Sequence, residues 1–362
     1  MDSCLASRLA ARVGTKSTAL AALVVAALVP ACGDSGYFDD FGATDDAGAP
    51  RDLGRKSHDL SHRPGTDLAT IKGADLSTGS ADLSIPLMPG AIGPTGGTVD
   101  RLFFSFHGDA RPANCNDTPN YPKDIVESIF KREAARNVQF SIDLGDHFFG
   151  CGSGKYNTAA AQMAIYVNAS KLLPSLTFLT MGNHECRSSG LCHPGDGDEN
   201  LAAYLPALAP ISAIPYYTFD VQTSQGLATF VVIADNAWDN TEQAWLESTL
   251  AKADGAAKYT IITRHHPIDN TDLPNMMVEM GIIQKHKYSL FMTGHTHEYK
   301  HDTYLDPSKR TLRMGISGAP FNGNTMYYGY GTVEQQVSGA LLVKIYDQAT
   351  DAIQDTWSVT PQ

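Results

Sequence analysis

Residues 176–185 read LTFLTMGNHE, an apolar run broken only by threonine that stops on glycine and then offers an amide, an imidazole and a carboxylate. A short run of this kind bounded by glycine predicts a buried strand. The same punctuation recurs on either side of it. Leu102 to His107 runs into Gly108-Asp109-Ala110-Arg111, and Val138 to Leu144 runs into Gly145-Asp146-His147. Farther on, Lys258 to Thr263 ends in Arg264-His265-His266-Pro267, and Ser289 to Thr293 ends in Gly294-His295-Thr296-His297. Between the runs lie stretches of helical spacing at 122–137, 158–172 and 240–253, the last with Trp245, Leu246 and Leu250 on one side. Thr229 to Ala234 reads as a further strand, and 341–346 with 352–359 as a closing hairpin. Strands alternating with helices predict an α/β fold, in which ligands gather beyond the C-terminal ends of strands.

Taken singly, these strand ends carry little information. Gly-Asp after a strand is usually a turn, and one strand-end histidine is usually a satisfied polar group. Together, five blocks of carboxylate, amide and imidazole in one domain point to bound metal. Oxygen and imidazole donors suit Mn, Fe or Zn held for hydrolysis, whereas a structural site would favour thiolates.

Gly182-Asn183-His184-Glu185 and Gly294-His295-Thr296-His297, in this order and distance, resemble the signature of the calcineurin-like metallophosphoesterases, which include the purple acid phosphatases. The resemblance runs from Leu102 to about Gly318, and the Gln243-Ala-Trp-Leu246 helix after Asp235 is similar to the family's insertion between its third and fourth blocks. It implies a four-layer αββα sandwich of two mixed β-sheets flanked by helices. It also implies two metals, with Asp146 bridging them, Asn183, His265 and His295 completing the second site, and Asp109 and His297 belonging to the first. His184 would face the transferred phosphate and protonate or stabilise the leaving oxygen. The expected reaction is hydrolysis of a phosphate mono- or diester by a metal-activated water.

Two positions depart from that pattern. Most relatives have a ligating histidine where this chain has Arg111, and the purple acid phosphatases can use a tyrosine where it has Phe149. Arginine has no lone pair to give and phenylalanine no heteroatom, so the first site is left weak with Asp109, Asp146 and His297. His107 or His147 could replace the missing ligand. Arg111 admits two readings, a bidentate clamp on a phosphate oxygen or a salt bridge to Asp109 or a loop acid. His266 is a candidate substrate contact beside His265, and Asp235 is expected to cap or orient. His193, His286 and His301 sit in no matching block and read as structural or surface residues. The alternative function is a tethered metal- or ligand-binding protein that keeps the fold but turns over little.

The rest of the chain bears on where this chemistry takes place. Arg8, Arg12 and Lys16 precede an uncharged apolar run from Ser17 to Pro30, which ends at Ala31-Cys32. A basic start and an apolar stretch too short to span a bilayer predict an export signal over 1–31. Small residues before the cysteine resemble a bacterial lipoprotein cleavage box, which would leave Cys32 as a lipidated N-terminus on a membrane, periplasmic or at the cell surface. A plain signal peptide cut near Ala31 is the other reading. Residues 32–98 are rich in Asp, Gly, Ser, Thr and Pro, with Asp-Leu recurring from Asp52 to Leu83. Such units carry too little apolar surface to fold and predict a disordered tether, leaving 99–362 as the catalytic domain. Export leaves Cys115, Cys151, Cys186 and Cys192 as an even set for an oxidising compartment. Of the three pairings, Cys186–Cys192 with Cys115–Cys151 is preferred, because the first pair brackets one short loop. The formal net charge of −12 excludes a nucleic-acid grip built on a basic surface, though a metal-held phosphate substrate remains compatible with it.

Overall fold

The computed structural model describes residues 92–267, 273–297, 299–302, 311–313 and 328–361. The leader, Cys32 and the tether as far as residue 91 lie outside them. The fold begins before Val99 all the same. Ile92 is buried, and strand β1 (Gly96–Thr98) pairs in parallel with β5 (Tyr217–Thr223). The last residues of the spacer-like composition therefore form a sheet edge.

Two mixed sheets carry the fold. One holds β2 (Phe103–His107), β3 (Ser141–Asp143) and β4 (Thr177–Leu179) in parallel, extended from β2 by the antiparallel β11 (Gly329–Gln335), β12 (Leu341–Asp347) and β13 (Ile353–Val359). The other holds β6 (Gly226–Val232), β7 (Tyr259–Thr263) and β8 (Leu290–Thr293) in parallel. It is completed by β5 and β1 on one side and by β10 (Thr311–Arg313) and β9 (Lys300–Asp302) on the other.

Alternation along the strands decides which side each residue serves. Phe230 and Val232 of β6 join the main core with Phe104 of β2. Val231 and the following Ile233 pack with Leu246 and Leu250 of α4 (Asn240–Ala256) and with Ile283 of α5 (Met276–Ile283). The seam between the sheets is aromatic. Phe104 meets Phe230 edge-on at 5.3 Å between ring centroids, Phe140 meets Phe219 at 5.6 Å, and Phe178 stacks on Phe219 at 3.7 Å. Each such ring stabilises the fold by about 1.5–3 kcal/mol through burial. Gly331 of β11 lies opposite Phe106, and a Cβ there would fall 2.0 Å from its ring.

On the remaining outer face, Ile129 of α1 (Lys123–Ala135) packs on Tyr330 and Tyr346, and α1 adjoins α2 (Ala159–Ser170), which adjoins α3 (Glu199–Leu208). Tyr330 stacks on Tyr346 under Arg136, a packed aromatic edge. The result is the expected αββα layering. The C-terminal ends of β2, β3 and β4 in one sheet and of β7 and β8 in the other deliver every residue of the candidate site.

Candidate metal centre

Just past those strand ends the backbone turns sharply. Asp109, Asp146, His295 and His297 all have positive φ, at 54°, 60°, 73° and 52°. Side chains other than glycine rarely adopt this region, at a cost of order 1–3 kcal/mol each, and such strain collects at functional sites. Gly182 is required for a related reason, since a Cβ on it would lie 2.4 Å from Asp146 Oδ1. The turns aim donors inward. Asp146, His265 and His295 each place a ligand atom within 4.8 Å of the others, and so do Asp109, Asp146 and His297.

Asn183 Oδ1 lies at the centre of the first of these groups, 3.1 Å from His265 Nε2 and 2.9 Å from His295 Nδ1. His265 Nε2 is also 3.3 Å from Asp146 Oδ2. Its other nitrogen, Nδ1, lies 2.7 Å from the Leu144 carbonyl, an outer hydrogen bond that fixes the ring with Nε2 facing the cluster. Burial would lower the His265 pKa, but Asp146 and Asp109 outweigh it and raise it to about 10. This point of the site attracts positive charge, whether a proton or a metal. Burial, reinforced by His265 and His266, pushes His295 down to about 2, leaving it a neutral imidazole as a metal ligand must be. Two carboxylates, one amide oxygen and three imidazoles facing one another fit a divalent or trivalent ion such as Mn, Fe or Zn.

Asp146 is the hub. Burial would raise its carboxyl, but His265, His184 and Arg111 hold it well below the usual carboxylate range. Its Oδ1 accepts from the His184 backbone N–H at 2.9 Å, and its Oδ2 lies 3.7 Å from His184 Nε2. Burial lowers the His184 pKa to about 4 against the pull of Asp146, with Arg111 reinforcing the drop. Near neutral pH His184 is therefore an uncharged donor, walled on one side by the Phe149 ring at 4.1 Å.

Arg111 reaches into the Asp109–Asp146–His297 group. Its Nη2 lies 3.2 Å from His297 Nε2 and its Nε 3.6 Å from Asp146 Oδ2, while Nη1 donates to the Pro112 carbonyl at 3.2 Å. The guanidinium carbon sits 4.9 Å above the Phe149 ring. Of the two readings of Arg111, the salt bridge to Asp109 or a loop acid is not among its contacts with the described residues; the acid it meets is Asp146. Phe149 serves as a wall for Arg111 and His184.

Neither histidine considered as a replacement ligand faces the site. His107 is held by Glu133 at 2.9 Å and Asp143 at 3.2 Å, and His147 by Asp143 and Glu185 at 3.1 Å each, all of them buried. Acidic partners close at hand capture each imidazole before it can turn outward. His266 is also committed, with Nδ1 2.8 Å from Asp235 Oδ2, so Asp235 orients it beside the His295 ring at 4.4 Å. His286 and His301 are held by Asp254 and Asp355.

Three positioning residues were not assigned roles from the sequence. Glu185, the last letter of Gly-Asn-His-Glu, accepts from the backbone N–H groups of Asp146 at 3.1 Å, His147 at 2.9 Å and Gly182 at 2.6 Å, tying two strand ends together. Asn200 of α3 donates to the carbonyls of His184 at 2.8 Å and Gly150 at 2.9 Å. Asn116 Nδ2 donates to the Cys151 carbonyl, and its Oδ1 accepts from the Cys151 and Thr158 N–H groups. The disulfides form in the preferred pairing, Cys115–Cys151 joining two rim loops and Cys186–Cys192 closing a third. Only the glutamate stood inside a motif; the two asparagines had no sequence signal.

A family model described as calcineurin-like phosphoesterase matches residues 107–299. No curated protein gives a match. Among solved structures, the fold is shared with GAP50, the anchor in the inner membrane complex of Plasmodium. The two are 15% identical with a TM-score of 0.53, covering 73% of this chain and 90% of that one. A dimetal phosphatase from Danio rerio is 11% identical with a TM-score of 0.53, over 73% of this chain and all of its own. The purple acid phosphatase PPD1 from yellow lupin seeds is 15% identical with a TM-score of 0.51, over 72% of this chain and 54% of its own. At these identities the likeness establishes the fold.

Proposed function

This chain belongs to the calcineurin-like phosphoesterase family, and from that premise we propose that it hydrolyses phosphate mono- or diesters outside the cytoplasm with the help of bound metal. The observation that carries the reading is the convergence of Asp146, Asn183, His265 and His295 on one point. These residues would hold a Mn, Fe or Zn ion, with Asp109 and His297 beside them. When bound, such an ion polarises a phosphoryl oxygen and lowers the pKa of water toward neutrality.

The chain's own groups do the rest. Asn183 contributes a neutral oxygen, which limits negative charge next to an anionic phosphoryl group. His184, uncharged near neutral pH, is set to donate an N–H to the oxygen that leaves, and its contact with Asp146 fixes the ring. Arg111 presents a permanent positive charge beside Asp146. The rim loops 112–121, 148–157 and 186–200, stiffened by two disulfides, favour a pocket shaped before substrate arrives. The export signal read over 1–31 supports a periplasmic or cell-surface location, anchored through lipid on Cys32, and the disulfides suit an oxidising compartment.

A second reading has its own observation. Arg111 stands where most relatives have a ligand, and the similarly folded Plasmodium protein is described as an anchor. On that reading the chain is a tethered metal- or ligand-binding protein with little turnover. The test strips metal from the full-length chain and assays a chromogenic phosphomonoester and diester with Mn, Fe and Zn restored in turn. Turnover that needs metal and disappears in Asn183→Ala and His265→Ala supports the enzyme. A folded chain that binds metal but turns over neither ester supports the second reading.

A further inference from the structure

The group formed by Asp109, Asp146 and His297 is already occupied by a cation of the chain's own. Arg111 Nη2 lies 3.2 Å from His297 Nε2. A guanidinium has donors only, so in that contact His297 Nε2 is the acceptor and gives up the lone pair that a metal would need. The same guanidinium holds its Nε 3.6 Å from Asp146 Oδ2. A metal bonded to histidine and carboxylate sits about 2.0–2.2 Å from each. An ion that close to His297 and Asp146 would fall against the guanidinium and meet a like charge that arginine cannot shed.

The side chain is not free to swing away. It is buried, its Nη1 is tied to the Pro112 carbonyl, and Phe149 lies under its plane. Phe149 also leaves the group without the oxygen ligand a tyrosine would bring. The neighbouring group is different in kind. Asp146, Asn183, His265 and His295 supply four donors, and Arg111 meets this group at the shared Asp146.

We propose that Arg111 replaces the metal of the first site, so that the chain binds one ion, at Asp146, Asn183, His265 and His295, beside a built-in guanidinium. The inference rests on the metal-dependent reading above. Arg111 then balances the charge of Asp146, as the missing ion would.

The test counts metal and needs no substrate. The full-length chain is loaded with Mn, Fe or Zn, freed of loose ions and measured by elemental analysis. One equivalent is expected. Arg111→His, which restores a ligand and removes the charge, should take up two. His297→Gln, which deletes a donor of the first group alone, should keep one. Two equivalents in the unaltered chain would overturn the inference while leaving the hydrolase reading intact, and so would a loss of the single equivalent in His297→Gln. A folded Arg111→His that stays at one equivalent would overturn the role given to Arg111. No bound metal in the unaltered chain would overturn both readings together.

Discussion

Two groups of acids and histidines grow from the ends of the same strands and have opposite fates. Asp109, Asp146, Asn183, His265, His295 and His297 point their donors at common centres. Within three residues of those donors along the chain, His107, Asp143, His147 and Glu185 point at each other, joined by Glu133 of α1. His107 lies between Glu133 and Asp143, His147 between Asp143 and Glu185, and Tyr166 donates to Asp143 Oδ2 at 2.6 Å. The residue types are the same. What differs is whether each imidazole nitrogen meets its own carboxylate or shares a target with its neighbours. A closed cluster stabilises the fold, whereas a convergent one leaves capacity for a ligand.

The contrast is most sharply tested at the closed cluster. Asp143→Asn would leave two buried imidazoles without the carboxylate between them. Breaking a buried charge network in this way costs about 3–5 kcal/mol. Denaturant unfolding of the full-length chain should show that loss. If stability held while metal uptake fell, the cluster would belong to the site and the comparison would fail.

The same pairs give stability a pH dependence. Burial would lower both histidines, but Glu133 and Asp143 raise His107 to about 10, and Asp143 and Glu185 raise His147 to about 10. A raised histidine pKa contributes stability that is complete below its unfolded value near 6.5 and is lost as pH climbs through the folded value. The unfolding free energy should therefore decline between pH 7 and pH 10, and Asp143→Asn should flatten the decline. A profile that rises across that window in the unaltered chain would contradict the pairing.

At the convergent cluster the balance should reverse. Asn183→Ala removes the oxygen between His265 and His295 without stranding a charge. Activity should drop by roughly 10²–10³-fold, as when one preorganised transition-state contact is deleted. The unfolding midpoint of the metal-free chain should barely move. A large loss of metal-free stability would mean that Asn183 is part of the packing.

How far the sequence alone carries this contrast depends on which contacts are local. The donors of the convergent cluster were legible because each follows a short apolar strand, in all but the His265 block with a glycine between, and the strands themselves stood out by their runs. Strand β5 was missed although its burial alternates along Tyr-Thr-Phe-Asp-Val-Gln-Thr, and α3 was missed although Asp198 caps the N–H groups of Asn200 and Leu201. Pro206 inside α3 obscures its helical pattern. Strand β1 has almost no signature, because β5 recruits a glycine-rich segment as an edge. The closed cluster was unreadable for a deeper reason. Glu133 and Asp143 reach His107, and Glu185 reaches His147, from other elements, so both histidines looked like spare ligands until the tertiary fold paired them.

The smallest effect should appear at the rim. The closed cluster holds itself, but the convergent one must be held from outside, because donors aimed at one point do not restrain each other. Glu185 and Asn200 supply part of that restraint, and the Cys186–Cys192 bond closes the loop that leaves the His184 turn. With six residues of separation, the loop it closes is short. Chain-entropy reasoning gives such a bond about 2 kcal/mol of stabilisation, toward the low end for disulfides. Replacing both cysteines by serine should therefore leave a folded chain. If the rim shapes the pocket, KM for the preferred ester should rise more than kcat falls, because the loop would bind substrate less well while the donors keep their places. An equal fall in kcat would show that the bond also positions His184, drawing the rim into the convergent cluster itself.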